Sequence, residues 1–315
     1  MTKDKKILLI LAPAVLWYLF CLPLDIFKEP RSATITASDG TLMGAQASES
    51  GQWYFSPSGT LPDKFAKCIV NYEDRRFYCH NGVDYISVIR ALRQNISRKS
   101  VVSGASTITM QTIRLSRPHS RRTILEKAYE AVLATRLEIS CSKKKILMMY
   151  SSNAPFGGNV IGLDAAAWRY FGRPADELSW AESAMLAVLP NSPALIHPGR
   201  NRDRLLEKRN SLLDKLYLRG IIDRTECLLA KDEPLPDKPV PMPDEAYHLL
   251  ERCRAGYGAG NFETTVDYSL QQNVNSIVRR HFEVYHTNLV DNMGVIVIDV
   301  RTGEVLSYYG NTRDS

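Results

Sequence analysis

The chain has 315 residues, of which 44% are hydrophobic and 23% charged, and it carries a formal net charge of +6. This length accommodates a catalytic domain with its own core and one further module, and the mild basic excess suits an anionic membrane surface or a phosphate ligand as readily as a nucleic acid. The six scattered cysteines form no CxxC pair and no metal-type spacing with the six histidines, which argues against a zinc site.

The amino-terminal segment predicts a membrane anchor. Three lysines within the first six residues precede an apolar run from Ile7 to Leu24, which at 1.5 Å per residue barely crosses a bilayer. By the positive-inside rule, residues 1–6 form a cytoplasmic tail, residues 7–24 an uncleaved transmembrane helix, and the rest of the chain lies outside. A cleaved signal peptide is the alternative, although no small-x-small cleavage site follows the run.

Hydrophobic periodicity predicts a mainly helical chain after a small adapter over 25–58. Two short strands flank the turn at Ser38-Asp39-Gly40, and a helix over 63–72 follows. Asp84 is a predicted N-cap for a helix to Ile96, whose apolar residues Ile86, Ile89, Leu92 and Ile96 we expect to face inward. Further helices are predicted near 124–139, 144–150, 163–170, 178–189, 202–218, 225–230 and 269–285, with a proline-rich linker over 232–243 and a closing hairpin over 294–309.

Glu73 is the first candidate catalytic residue. It lies in the run Asn71-Tyr72-Glu73-Asp74-Arg75-Arg76-Phe77-Tyr78-Cys79-His80-Asn81-Gly82-Val83-Asp84. An acidic pair, two arginines, an aromatic, a histidine and a glycine are unusual for a buried core element and typical of a site. A surface carboxylate paired with a neighbouring arginine is the alternative for Glu73.

A second run, Gly104-Ala105-Ser106-Thr107-Ile108-Thr109-Met110-Gln111, is small and hydroxylated and leads to Arg114. It could be only a helix cap. Hydroxyls followed by an amide and a guanidinium favour instead the binding of sugar or phosphate oxygens. Fragments that echo serine transpeptidase motifs, such as Ser142-Lys143-Lys144-Lys145, have the wrong spacing, so we expect no transpeptidase activity.

Five ordered motifs resemble those of the peptidoglycan glycosyltransferases of family 51, found in class A penicillin-binding proteins and their monofunctional relatives, and details resemble the 1C type. The resemblance covers about 61–209. The motifs are Glu73-Asp74-x-x-Phe77-x-x-His80-x-Gly82-x-Asp84, Gly104-x-Ser106-Thr107-Ile108-Thr109-x-Gln111, Lys127-x-x-Glu130, Gly162-x-x-x-Ala166-x-x-x-Tyr170-Phe171-Gly172, and Leu178-x-x-x-Glu182-x-Ala184-x-Leu186-Ala187-x-Leu189-Pro190. Glu126, where the family commonly has Arg, departs from the pattern.

The resemblance implies a lysozyme-like, bilobal glycosyltransferase domain over 59–231, followed over 232–315 by a linker and a truncated, α+β start of a transpeptidase-like domain. It implies an inverting enzyme that polymerises lipid II into β-1,4 glycan strands, with release of undecaprenyl diphosphate, at the outer face of the cytoplasmic membrane. The implied partners are lipid II, the growing glycan strand, the membrane and other wall-synthesis proteins, and no nucleic acid. A glycan-cleaving enzyme of similar fold and a catalytically weak scaffold are the alternatives.

The resemblance also implies roles for residues. Glu73 would deprotonate the acceptor hydroxyl, and Glu130, the second catalytic residue, would orient cations or hold a divalent ion such as Mg²⁺; the chain is expected to have no organic cofactor and no dedicated metal site. Arg114, Arg122 and Lys127 would neutralise the departing diphosphate. The other predicted substrate-binding residues are Asp74, Phe77, His80, Ser106, Thr107 and Gln111.

Overall fold

The computed structural model of the protein describes residues 13, 15–23, 25–27, 31–57, 59–98, 105–118, 123–191, 199 and 201–311. Its α-helices are α1 (Asp63–Glu73), α2 (Tyr85–Arg98), α3 (Ile108–Leu115), α4 (Ile124–Ser140), α5 (Lys143–Asn153), α6 (Leu163–Phe171), α7 (Trp180–Val188), α8 (Arg202–Leu218), α9 (Arg224–Asp232), α10 (Tyr247–Tyr257) and α11 (Tyr268–Tyr285). Its strands are β1 (Ala33–Thr36), β2 (Leu42–Gln46), β3 (Trp53–Tyr54), β4 (Val160–Ile161), β5 (Asn261–Glu263), β6 (Val295–Ile298) and β7 (Val305–Tyr309). The predicted mainly helical class is therefore confirmed.

The chain divides into two compact units, each assembled from segments that are distant in sequence. The first unit comprises Met1–Glu29, Pro57–Gly158 and Arg173–Asp237, and the second comprises Pro30–Ser56, Asn159–Gly172 and Lys238–Ser315. The lysozyme-like bilobal shape and the predicted domain boundaries stay predictions.

Helix α7 forms the centre of the first unit. The Ser179 side chain caps it by accepting from the Glu182 N–H, and the Glu182 carboxylate accepts from the Ser179 N–H. Both hydrogen bonds of a capping box are therefore present. Every residue from Ala181 to Val188 is buried, which is typical of a helix covered on all sides. Its neighbours include α1 and α8, so α7 supports the helix that ends in Glu73.

Helix α2 has the predicted cap but not the predicted orientation. Asp84 accepts hydrogen bonds from the backbone N–H groups of the first turn, as expected of an N-cap. The expectation that its isoleucines face inward is wrong, because Ile86, Ile89 and Ile96 are 56%, 59% and 68% exposed. Periodicity identifies residues that share a helix face, but it does not show that another element covers that face.

The predicted transmembrane anchor lies partly outside the described residues. Residues 15–20 are helical. Within the part of the chain that the structure describes, no helix combines the length and the apolar character that a bilayer crossing requires. The anchor over 7–24 stays a prediction.

The second unit is built on the sheet β2-β1-β5. The predicted hairpin is confirmed, with β1 antiparallel to β2, and the parallel strand β5 joins β1 from more than 220 residues away, as the pair Ile35 and Phe262 shows. Ile35, Met43, Leu250 and Val266 belong to its core. Neither β5 nor α10, which packs on β1, was predicted from sequence, since short strands take their stability from distant partners.

Candidate active site

The carboxylate of Glu73 is held at the carboxyl end of α1 by two side-chain amides. Gln111 Nε2 donates to Oε2 over 2.8 Å, and Asn191 Nδ2 lies 3.4 Å from Oε1. The Tyr150 hydroxyl lies 3.5 Å from Gln111 Oε1, on the other side of that amide. The helix predicted over 63–72 is confirmed, and it extends one residue further, to Glu73.

Burial raises the pKa of Glu73 above its usual range, and Asp74 raises it further. The two amides and the charge of Lys208 act in the opposite direction, although burial dominates. Burial also raises the pKa of Tyr150 well above the ordinary tyrosine value, so its hydroxyl stays a donor. A carboxylate with a raised pKa is suited to accept a proton near neutral pH.

Glu73 lines a cleft of about 260 Å³ in the first unit. Ser106 lines it from the second motif, and three arginines, Arg75, Arg76 and Arg90, also line it. This cleft combines one proton acceptor with a hydroxyl and guanidinium groups, which bind sugar and phosphate oxygens.

Arg114 is fixed by a two-pronged ion pair with Glu130. Its Nε lies 3.1 and 3.3 Å from the two carboxylate oxygens, and Nη2 lies 3.2 Å from Oε2. Nη2 also lies 3.3 Å from the Ser106 hydroxyl. Gln111 and Arg114 are three residues apart on α3 and share a face, so the guanidinium and the Glu73 carboxylate belong to one site.

Glu126, the departure from the family pattern, forms an ion pair with Arg117. The like charges of Glu126 and Glu130 are therefore each matched by a separate arginine. The charge of Glu126 is thus directed to Arg117 and not to Arg114.

Asp74 and His80 lie in the interior and bind each other. Asp74 accepts from the backbone N–H of Ile108 at 3.0 Å, and His80 Nε2 lies 3.0 and 3.1 Å from its two oxygens. Both side chains are only 4–6% exposed. We therefore interpret these predicted substrate-binding residues as supports that tie the first motif to the start of α3.

Phe77, another predicted substrate-binding residue, is completely buried. The ammonium of Lys143 lies 4.4 Å from its ring centroid, donates to Glu138 at 2.7 Å and to the carbonyl oxygen of His80 at 2.6 Å. A burial this complete assigns Phe77 to the core that shapes the loop of the first motif, rather than to contact with a ligand.

Thr107 is both a helix cap and a link between motifs. Its hydroxyl accepts from the Met110 N–H, as an N-cap does, and donates to the carbonyl oxygen of Gly82 over 2.6 Å. The cap that the sequence offered as an alternative for this run is therefore present. Thr107 lines the cleft beside Ser106 but is only 2% exposed, and its predicted binding role stays a prediction.

Gly82 permits a close approach of the first-motif loop to α4. Its φ is +90°, and a Cβ there would lie 2.7 Å from the backbone carbonyl of Ala134. We expect Gly82→Ala to destabilise the first unit by roughly 2–4 kcal/mol, because the backbone strain and the steric overlap add. Thermal or urea unfolding measures this effect. Gly59→Ala also places a Cβ at positive φ but in open space, so it isolates the strain, and an equal loss in both variants would contradict the close-approach argument.

Arg122 and Lys127 are the other two residues predicted to neutralise the diphosphate. Arg122 lies outside the described residues. Lys127 is exposed on α4, three residues before Glu130. From this exposed position, the Lys127 ammonium can bind a ligand that approaches from solvent.

Three contributors to the site were missed from sequence. Asn191 directly follows the fifth motif, and that adjacency was a usable signal. Tyr150 and Lys208 come from α5 and α8, whose sequences predict helices but single out neither residue. Partial burial, and then the charge of Arg204, lower the pKa of Lys208, while Glu73 acts in the opposite direction.

The family follows from comparison with known proteins. A family model described as Transglycosylase matches residues 39–217, which is more than half of the chain. The chain belongs to the transglycosylase family. The resemblance inferred from the five motifs is thereby confirmed.

Relatives of this chain include proteins of different lengths. Penicillin-binding protein 1C of Escherichia coli is 35% identical over 261 residues, covering 82% of this chain and 33% of that protein. Penicillin-binding protein 1A of Aquifex aeolicus is 33% identical over 212 residues, covering 67% and 29%. A Cupriavidus necator protein with a provisional transglycosylase name is 38% identical over 181 residues, covering 58% and 78%. The chain thus spans about a third of the length of the penicillin-binding relatives.

Proposed function

We propose that the chain is a peptidoglycan glycosyltransferase that polymerises lipid II into β-1,4 glycan strands and releases undecaprenyl diphosphate. The observation that carries this proposal is the Glu73 carboxylate, whose pKa is raised by burial. It accepts from Gln111 of α3, the helix that also carries Arg114, whose guanidinium is fixed by Glu130. Membership of the transglycosylase family supports the same reaction class.

In the proposed reaction, the 4-hydroxyl of the acceptor sugar attacks the anomeric carbon of the donor. Glu73 takes the hydroxyl proton as the new glycosidic bond forms, and the bond to the diphosphate breaks with inversion at carbon 1. The amides of Gln111 and Asn191, on Oε2 and Oε1, fix the orientation of the carboxylate that takes this proton. A base that is already desolvated and oriented needs little reorganisation in the transition state.

The departing diphosphate requires cations rather than an acid, because its charge develops on phosphate oxygens. Arg114 supplies a planar, fixed donor set, and Ser106 adds a hydroxyl beside it. Lys127 and Arg122 stay in the proposal as further cations, the latter from sequence alone. In this arrangement Arg114 binds the diphosphate, and Glu130 orients Arg114.

A bound Mg²⁺ is the less favoured role for Glu130. Both of its oxygens accept N–H groups of Arg114. Among the described residues, no group of three or more His, Cys, Asp or Glu side chains could hold a metal ion. Both oxygens of Glu130 are thus engaged by Arg114, and the proposed steps involve only side chains.

The membrane location is part of the same proposal. A substrate with a long lipid tail is met at the bilayer surface, and the lysines at the amino terminus predict that the catalytic unit lies on the outer face of the cytoplasmic membrane. The growing glycan strand and other wall-synthesis proteins are the proposed partners.

Incubation of the purified chain with the lipid-linked disaccharide precursor, followed by gel separation of the glycan products, tests the function. Long strands are the expected result. Shortening of added, finished glycan would favour the cleaving enzyme, and failure to alter either substrate would favour the scaffold. The Arg114 guanidinium, which is fixed by Glu130, argues against cleavage, because a hydrolase has no diphosphate charge to neutralise.

Loss of the Gln111 amide is expected to move the acidic limb of the pH profile to higher pH. The hydrogen bond lowers the pKa of Glu73, so its removal in Gln111→Leu raises that pKa further and leaves less of the base ionised at a given pH. The shift of the acidic limb is obtained from polymerisation rates measured over roughly pH 5 to 9, which includes the pH range in which general bases operate. Gln272→Leu, on the surface of α11, is the matched control, and an unchanged acidic limb in Gln111→Leu would contradict the assigned base.

A further inference from the structure

Residues 15–20 dock on helix α4. The rings of Trp17 and Tyr129 lie 6.1 Å apart between centroids, and the hydroxyls of Tyr18 and Thr135 are 3.0 Å apart. The guanidinium of Arg136 donates twice to the carbonyl oxygen of Leu19, at 2.8 and 3.1 Å. An aromatic contact, a hydroxyl pair and a forked hydrogen bond thus join a segment more than 100 residues earlier in the chain to one helix.

The docked surface of α4 is directly coupled to its catalytic surface. Tyr129 and Arg136 are seven residues apart and lie on one stripe of the helix. Glu130 follows Tyr129 by about 100° of rotation and is buried toward Arg114. A contact that fixes the rotation of α4 about its axis therefore also fixes where the Glu130 carboxylate points.

Tyr129 receives a second contact from the chain between α3 and α4. The guanidinium of Arg117 lies 4.6 Å from the Tyr129 ring centroid and pairs with Glu126. Trp17 and Arg117 therefore both contact Tyr129. The departure at Glu126 fits this arrangement, because its charge holds Arg117 over the aromatic ring.

We propose that residues 15–20 are a positioning element, with Trp17 as its principal side chain, which sets the orientation of α4 and through it the ion pair of Glu130 with Arg114. The proposal rests on the proposed polymerase function for its kinetic consequence. The segment lies within the apolar run over 7–24 that predicts the membrane anchor, so placement of the chain in a bilayer and alignment of the diphosphate-binding residues would be linked. Trp17 acts through Tyr129 and does not touch the reacting atoms.

The full chain reconstituted in lipid vesicles tests the proposal in two measurements. Trp17→Ala is expected to lower kcat for polymerisation by about tenfold with KM changed less than twofold, because the donor still binds while α4 is misaligned. Hydrogen exchange of the α4 amides is expected to quicken in the same variant. Trp17→Phe keeps a ring at this position and is expected to restore both. Leu16→Ala, which removes a half-exposed apolar side chain from the same segment, is the matched control.

A double-mutant cycle separates docking from a simple lipid contact of Trp17. If Trp17 acts through Tyr129, the double variant Trp17→Ala with Tyr129→Ala is no slower than the worse single variant. A double variant whose loss of rate equals the product of the two single losses would overturn the proposal. An α4 exchange rate in Trp17→Ala equal to that in Leu16→Ala would also overturn it. Hydrogen exchange is measured without substrate, so it tests the docking of residues 15–20 on α4 independently of activity. A wild-type chain that makes no glycan would therefore refute the proposed function and leave the docking test valid. In that case, the affinity of the chain for lipid-linked precursor replaces kcat, and an unchanged affinity in Trp17→Ala would overturn the positioning role.

Discussion

Replacing Glu73 by Gln is expected to lower the rate of polymerisation by about 10³-fold, the middle of the range for loss of a general base. Gln keeps the shape of the side chain and can still accept from Gln111, so the site geometry is retained. It cannot take the acceptor proton. Initial rates with the lipid-linked precursor measure the loss, and Glu207→Gln on the exposed side of α8 serves as the control. Polymerisation by Glu73→Gln within tenfold of the wild-type rate would refute the assignment.

The same substitution is expected to stabilise the fold at neutral pH. Because burial raises the folded-state pKa of Glu73, its ionisation costs stability, and that cost is complete above the folded pKa and absent below the unfolded value of about 4.3. Glu73→Gln should therefore melt higher than the wild type at pH 7.5, by roughly 1–3 °C, and the difference should vanish near pH 4. A higher melting temperature with lost activity would separate a catalytic defect from unfolding, and it follows the usual trade-off between stability and function. Equal melting temperatures at pH 7.5 would indicate a solvated carboxylate.

The sequence was most informative where the physical cause is local. Asp84 was correctly predicted as an N-cap, since capping depends on a side chain and the next three residues. The helix over 202–218 was predicted at the bounds that the structure has. The position of Glu73 at a helix end follows from the same local patterns.

Sequence reasoning did not give the orientation of residues within the site, because the contacts that set it are long-range. Asp74 binds the N–H of Ile108, 34 residues away, and Lys143 binds the carbonyl oxygen of His80, 63 residues away. A family motif identifies such residues together without separating those that face a ligand from those that hold the loop. The structure shows that Glu73 lines the cleft, that Phe77 is completely buried and that His80 binds Asp74.

The isoleucines of α2 illustrate a second limit. Their spacing predicted an amphipathic helix, and that much is correct, yet the apolar side is exposed. Whether such a stripe faces a core depends on which element lies next to it. Nothing within the helix sequence carries that information.

Breaking the ion pair of Arg114 with Glu130 is expected to cost about 10²–10³-fold in kcat, the range found when a preorganised donor to developing negative charge is removed. Arg114→Ala removes the donor and also leaves Glu130, only 6% exposed, without its cation. Arg114→Lys retains the charge but loses the two-pronged geometry, so a partial recovery is expected. Arg169→Ala, a guanidinium of the second unit that binds the Val240 carbonyl, is a control for general loss of an arginine.

Glu130→Gln decides whether Glu130 acts only through Arg114. If it does, Glu130→Gln combined with Arg114→Ala is no slower than Arg114→Ala alone, because the residues behave as one unit. Multiplication of the two losses would instead assign Glu130 an independent contact with substrate or with a metal ion. Repeating the rates with added Mg²⁺ and with a chelator separates those two cases: a metal ligand loses its metal response in Glu130→Gln, whereas an orienting residue leaves that response as it is in the wild type. The orienting role predicts the second result, since both carboxylate oxygens are already engaged by one guanidinium.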